Sequence, residues 1–132
     1  MRQTFILIAL LFSQLVLSQI SQNPEKSANP ILLFKTLEIE RDSIPYGSKD
    51  LFVFEFENDS KKPVTIQNVQ TSCGCTAAEK PTEPIEPGKK SKISVSYDTT
   101  RIGSFTKTIT VSSDISDPIV LTIRGSVLSK KE

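Results

Sequence analysis

Histidine and tryptophan are both missing from this 132-residue chain. Without an imidazole, Ser-His and Cys-His nucleophile pairs, His-ligated metals and the usual general base near neutral pH are excluded. The Asp and Glu residues fall singly on strand faces or in loops, where solvated charge accounts for them, and no glycine-rich phosphate loop occurs. The chain therefore does not read as an enzyme. The lack of Trp, with the only two Cys at positions 73 and 75, also removes the inter-sheet disulfide and packed Trp of antibody-type domains. Net charge is nearly absent as well, with 16 Lys and Arg set against 15 Asp and Glu, well mixed along the chain. A neutral surface gives no hold on a phosphate backbone, so no nucleic-acid partner is expected. The one basic knot, Lys89, Lys90 and Lys92, reads as the solvated start of a strand.

Long apolar runs are scarce too. One follows Arg2, from Phe5 to Leu17, and gives way to small and polar residues, the three-part layout of a secretory signal peptide. It is shorter than the roughly 20 residues a spanning helix needs, and Ser13 and Gln14 interrupt it, so no stable membrane span is expected after cleavage. Val16 and Ser18 place that cleavage after Ser18. The expected organisation is a signal peptide over 1–18, a polar, proline-containing leader over 19–31 and one domain over 32–129. The product would be secreted or periplasmic. About 114 residues remain, enough for one domain with its own core and no need of a disulfide framework.

What is present in that domain is alternation. In Leu51–Asn58, Phe52, Phe54 and Phe56 share one face while Glu55 and Glu57 take the other, the period-two pattern of a half-buried strand. Ile93, Val95 and Tyr97 repeat it, as do Ile119, Leu121, Ile123 and Val127. Phe105, Ile109 and Val111 form a fourth set with Lys107 in the same register, and a charge at an inward position predicts an edge strand there. Two weaker strands place Leu37 and Ile39 inward and break step between Ile66 and Val69, as a bulge does. Turn signals separate these runs, among them Asn58-Asp59-Ser60, Pro87-Gly88 and Asp117-Pro118. About seven antiparallel strands and no helical period predict an all-β, immunoglobulin-like sandwich.

The cysteines are the one unusual chemical feature. A disulfide closing so small a loop removes little chain entropy, roughly 1.6 kcal/mol, which makes it a poor staple. In extended backbone the two Cα atoms stand roughly 6.6–7.2 Å apart, at or beyond the disulfide limit. A bridge therefore needs a bend, which Gly74 can supply through conformations closed to other residues. The pair reads either as a close dithiol in an exported protein, able to cycle with its disulfide or hold copper(I), a soft ion suited to sulfur, or as an inert turn disulfide or two buried thiols. Two thiolates supply only half of a tetrahedral zinc site, so no metal is firmly expected.

Thr71-Ser72-Cys73-Gly74-Cys75-Thr76, then Pro84-Ile85-Glu86-Pro87-Gly88, Ile93-Ser94-Val95-Ser96-Tyr97 and Gly103 to Val111, continue to Leu121-Thr122-Ile123-Arg124-Gly125. Together they resemble a bacterial domain family of unknown function, number fifteen-seventy-three, itself similar to major-sperm-protein and Hydin-type immunoglobulin-like domains. The likeness covers about residues 33–127. It implies an exported seven-stranded sandwich, with Cys73 and Cys75 as the hallmark pair and Pro87-Gly88 as the turn before a core strand. The related eukaryotic domains act mostly as binding modules, a fold-level analogy. One departure is the turn after the phenylalanine strand, Asn-Thr-Gly-like in the family and Asn58-Asp59-Ser60 here. The expected function is a non-enzymatic binding or structural module with an unknown protein partner in the envelope or extracellular space. The alternative is a dithiol protein using Cys73 and Cys75 for redox exchange or copper(I) handling.

Overall fold

The structure, a computed structural model, describes residues 31–130. The signal peptide and nearly all of the leader expected from the sequence lie outside the described residues. Eight strands follow one another: β1 (Leu32–Phe34), β2 (Glu38–Ile44), β3 (Leu51–Asn58), β4 (Ile66–Thr71), β5 (Thr76–Glu79), β6 (Lys90–Tyr97), β7 (Gly103–Ser113) and β8 (Ile119–Val127). They form two four-stranded sheets, ordered β1-β3-β6-β5 and β2-β8-β7-β4. No described helix is long and apolar enough to cross a membrane.

The alternation in the sequence builds the space between the sheets. Phe52, Phe54 and Phe56 point inward from β3 beside Ile93 and Val95 of β6, and meet Ile109, Val111, Leu121 and Ile123 of the opposite sheet, all essentially out of solvent. Burying side chains of this size is worth about 1.5–3 kcal/mol each, which makes this double layer the main source of stability. Phe105 meets Phe52 edge to face at 6.2 Å and stacks on Tyr97 at 3.8 Å, while the Arg41 guanidinium covers the Phe52 ring at 5.0 Å. On the outer face, Glu55 and Glu57 stand opposite Lys92 and Lys90, and Lys35 reaches across to pair with Glu55. That pairing gives the basic knot its ordinary solvated role, and the Lys35 ammonium holds the Glu55 carboxyl below its usual range.

Four sequence expectations change. There are eight strands rather than about seven, because three-residue β1 and four-residue β5 are too short to show a period. The sandwich is not wholly antiparallel, since β2 runs parallel to β8. Leu37 is not inward but 52 % exposed, in the turn where the chain leaves β1 in one sheet to start β2 in the other. Finally, β7 is not an edge strand, because β8 and β4 flank it. The register of Lys107 is as expected, half-buried on the face shared with Phe105 and Ile109. The charge is tolerated because β4 pairs with β7 only from Ile109 onward, leaving the flank beside Lys107 open among the described residues.

Two local irregularities shape the elements. β4 carries a register shift between Ile66 and Asn68, the bulge the apolar spacing called for. β2 shifts between Arg41 and Ile44, where Ser43 adopts a φ of 60°, costly for a residue with a side chain. That strain turns Ile44 into the core. The same crossing brings the Arg41 carbonyl against β8 at Gly125, where an added Cβ would meet Arg41 O at 2.5 Å and Phe105 Cζ at 2.9 Å. Only glycine lets β2 and β8 approach this closely.

Candidate functional site

β4 belongs to one sheet and β5 to the other, so residues 72–75 carry the chain across the end of the sandwich. Cys73, Gly74 and Cys75 make this crossover. The Ser72 amide donates to Thr108 O at 3.0 Å and the Thr108 amide donates to Ser72 Oγ at 3.1 Å, which ends β4 against the middle of β7. Thr71 Oγ1 donates to Cys73 O at 3.1 Å, and the Thr76 amide to the same oxygen at 3.3 Å. On the far side the Asp98 amide donates to Cys75 O at 2.9 Å.

Within this frame Cys73 and Cys75 are joined, their Cα atoms 5.4 Å apart. The bend that shortens the extended distance does not come from a left-handed glycine: positive φ is confined to Ser43, Gly47, Gly88 and Gly103 among the described residues. The role expected for Gly74 is thus corrected. Its exposed Cα has nothing within 4 Å of where a Cβ would stand, and the hydrogen bonds on either side bend the chain. Both cysteines are half-buried, whereas Thr76 is 5 % exposed. The Thr76 hydroxyl lies 3.6 Å from Cys73 Sγ and 3.9 Å from Cys75 Sγ. Bridged sulfur carries no hydrogen, so the hydroxyl is the donor and favours Cys73 by distance. As a disulfide the sulfurs are not thiolate ligands, and the copper(I) expectation concerns the reduced pair.

The neighbouring turn, residues 98–101, carries two charges, Asp98 and Arg101. The Asp98 carboxyl accepts the Thr100 hydroxyl at 2.6 Å and the Thr100 amide at 3.1 Å, and the Arg101 guanidinium lies 3.4 Å away. These bonds, the Thr100 hydroxyl foremost, hold the Asp98 carboxyl below the ordinary aspartate range. Exposed Tyr46, Ile102 and Leu128 belong to the segments that leave β2, enter β7 and leave β8 at this end.

Pro87 and Gly88 are not brought to this site. They form a turn closed by the Lys89 amide on Glu86 O at 3.0 Å, with Gly88 at a φ of 73°, the second turn position that favours glycine. The turn sits at the start of β6, the opposite end from Thr76 and its partner Tyr97. There it clamps Asn58, whose carbonyl accepts the Gly88 amide at 2.7 Å and whose amide donates to Lys89 O at 3.0 Å.

Sequence reasoning missed Asn58 and Thr76. Asn58 is wholly buried, and its side chain uses its full capacity: Nδ2 donates to Lys62 O and Ile85 O, each at 2.8 Å, and Oδ1 accepts the Ser60 amide at 2.9 Å and hydroxyl at 2.7 Å. A signal existed, because Asn58 continues the inward register of Phe52, Phe54 and Phe56. Ser60 needs no glycine conformation here: its φ is not positive, and its hydroxyl accepts the Lys62 amide at 3.2 Å while its one hydrogen is shared between Asn58 Oδ1 and Lys62 O, the latter at 2.8 Å. Nothing in the sequence marks the Thr76 hydroxyl, which reaches the sulfurs only because β5 starts where the crossover ends.

Residues 32–127 match the model of the family described as "Protein of unknown function (DUF1573)". No curated protein matches the chain. Among solved structures, the PapD-like domain 7 of human CEP192 superposes with a TM-score of 0.65 at 10 % identity, over 76 % of this chain and 87 % of that one. The VesB protease of Vibrio cholerae matches with a TM-score of 0.58 at 12 % identity, over 74 % of this chain and 32 % of that one. The YadV chaperone matches with a TM-score of 0.58 at 10 % identity, over 77 % of this chain and 54 % of that one. These likenesses establish a PapD-like, immunoglobulin-type fold. The match to the protease covers only about a third of it.

Proposed function

The chain belongs to the DUF1573 family of proteins of unknown function, and from that premise we propose that it is an exported, non-enzymatic binding module that takes an extended segment of a protein partner as an added strand on β7. One observation carries this reading. β4 leaves its sheet after pairing Thr71 with Ile109, so among the described residues no strand lies beside Gly103–Lys107 on that side. Thr108 turns its amide and carbonyl toward Ser72. By the alternation of an antiparallel ladder, Thr106 and Ser104 turn theirs to the same side, where no strand receives them. An open run of backbone donors and acceptors is the attachment point for strand addition, with flanking side chains setting specificity. Half-buried Lys107, which has no ion-pair partner among the described residues, favours an acidic residue in the incoming segment. The PapD-like fold supports the reading by analogy, as does the chaperone among its structural relatives. The secretory layout of residues 1–18 supports export.

The test uses a displayed library of extended peptides selected on the full chain. Proline at 106 removes an outward amide without breaking a bond to β8, so Thr106→Pro should keep the fold and lose the selected peptides. Bound peptides should also slow hydrogen exchange at Ser104 and Thr106. Peptides that bind the T106P variant equally well and leave those amides unprotected would sink the proposal.

A further inference from the structure

We infer that Cys73–Cys75 is a dithiol–disulfide exchange site in which Cys73 is the leaving sulfur and Thr76 the positioning residue. This does not rest on the strand-docking reading. Three features carry it. First, the hydrogen bonds that bend the crossover, from Thr71, Ser72, Thr76, Thr108 and Asp98, use no sulfur atom, so they survive reduction and keep the two thiols close. Second, both cysteines are half-buried rather than sealed in the core, which leaves a route for an attacking thiolate. Third, the buried Thr76 hydroxyl donates toward Cys73 Sγ at 3.6 Å and is farther from Cys75 Sγ, at 3.9 Å. A donated hydrogen bond stabilises the charged form of an acid, and here the better-served thiolate is that of Cys73. The flanking charge does not oppose this, because the Asp98 carboxylate is occupied by Thr100 and Arg101 and Lys107 adjoins the Thr108–Ser72 contact.

The substrate class is a dithiol of a partner protein. A partner thiolate attacks Cys75 Sγ, the Cys73–Cys75 bond breaks, and its electron pair goes to Cys73 Sγ, which takes the Thr76 hydrogen bond and then a proton from water. The partner's second thiol, after losing its proton to water, attacks the partner sulfur of the mixed disulfide. That step releases Cys75 as a thiolate, which is protonated in turn. The partner dithiol becomes a disulfide, and two electrons and two protons reach the Cys73/Cys75 pair. A disulfide such as oxidised glutathione, accepting the same two electrons, restores the bridge.

The experiment equilibrates the full chain in mixtures of reduced and oxidised glutathione, quenches with acid, and counts thiols by alkylation and intact mass. The expected result is one two-thiol transition within the range of the mixtures, with the reduced protein still folded and melting less than about 10 °C lower. In single-cysteine variants of the reduced chain, the pH profile of iodoacetamide alkylation should show Cys73 (in C75S) more acidic than Cys75 (in C73S). Thr76→Val should slow Cys73 alkylation at neutral pH by about threefold or more, and Thr76→Ser should restore it. A pair that stays bridged in excess dithiothreitol while folded would overturn the inference. So would equal acidity of the two thiols, a measurement that needs no change at Thr76. A reduced pair that takes up copper(I) but does not exchange with glutathione would overturn it as well.

Discussion

The chain enters β4 through one crossover between the sheets and leaves it through another, and the two are secured by opposite means. At the entry, the wholly buried Asn58 amide saturates four hydrogen bonds and draws residues 60, 62 and 85 onto the end of β3. At the exit, a covalent bond joins two residues that are already neighbours and only half-buried. The covalent corner is the weaker support. A disulfide stabilises by the chain freedom it removes, and a loop this short has little to remove. A buried amide is costly to delete, because four hydrogen bonds go with it, the one to Ile85 O in a place water does not reach. Of the two corners the entry is the stronger support, which leaves the exit free to break and reform its bond.

Substitutions can break or sharpen this contrast. Asn58→Ala should have the largest effect, a loss of about 3 kcal/mol in urea unfolding, since a wholly buried side chain gives up four hydrogen bonds at once. Gly125→Ala should follow at about 2–3 kcal/mol, because the new methyl would overlap the Arg41 carbonyl. That result would show that the disulfide end of the sandwich depends on the close approach of β2 and β8 rather than on its bridge. Replacing both cysteines with serine should cost no more than about 1.6 kcal/mol. A loss as large as that of Asn58→Ala would invert the comparison. Gly74→Ala should stay within about 0.5 kcal/mol of the parent, as the position is exposed and open.

The smallest effect concerns pH. Asp98 has its folded pKa below the ordinary value of 3.8, so its contribution is complete above that value and is lost as pH falls through the lower folded one. Carboxyl-carbon NMR should find its midpoint below 3.8, and Thr100→Ala should move it back up.

Much of this architecture was legible before any coordinates. The phenylalanine period of β3, the bulge in β4 and the Pro87-Gly88 turn follow from local chemistry, because a half-buried strand or a tight turn writes its demands on adjacent residues. β1 and β5 escaped notice because three or four residues cannot display a period. Lys107 misled because an inward charge signals an open flank, and the flank that opens is half of an interior strand. At the candidate site the cysteines stood out by their spacing while the Thr76 hydroxyl did not, and at the opposite end the buried role of Asn58 did not. Their partners lie on segments brought near by the fold, as with Asn58 and Ile85, or are met only once a strand begins in the other sheet, as with Thr76.

The sequence by itself determined the sandwich, its inward faces and the presence of a cysteine pair too close to serve as a staple. Alternation and loop entropy are local properties that need no partner. Only the tertiary structure decided that Gly125 must be glycine while Gly74 need not be, that half of β7 lies open, and which sulfur the Thr76 hydroxyl favours. The close approach at Gly125 and the open half of β7 depend on distances between segments far apart in the chain, and the Thr76–sulfur distances on how the crossover between the sheets is bent; packing sets both, and no local pattern records it.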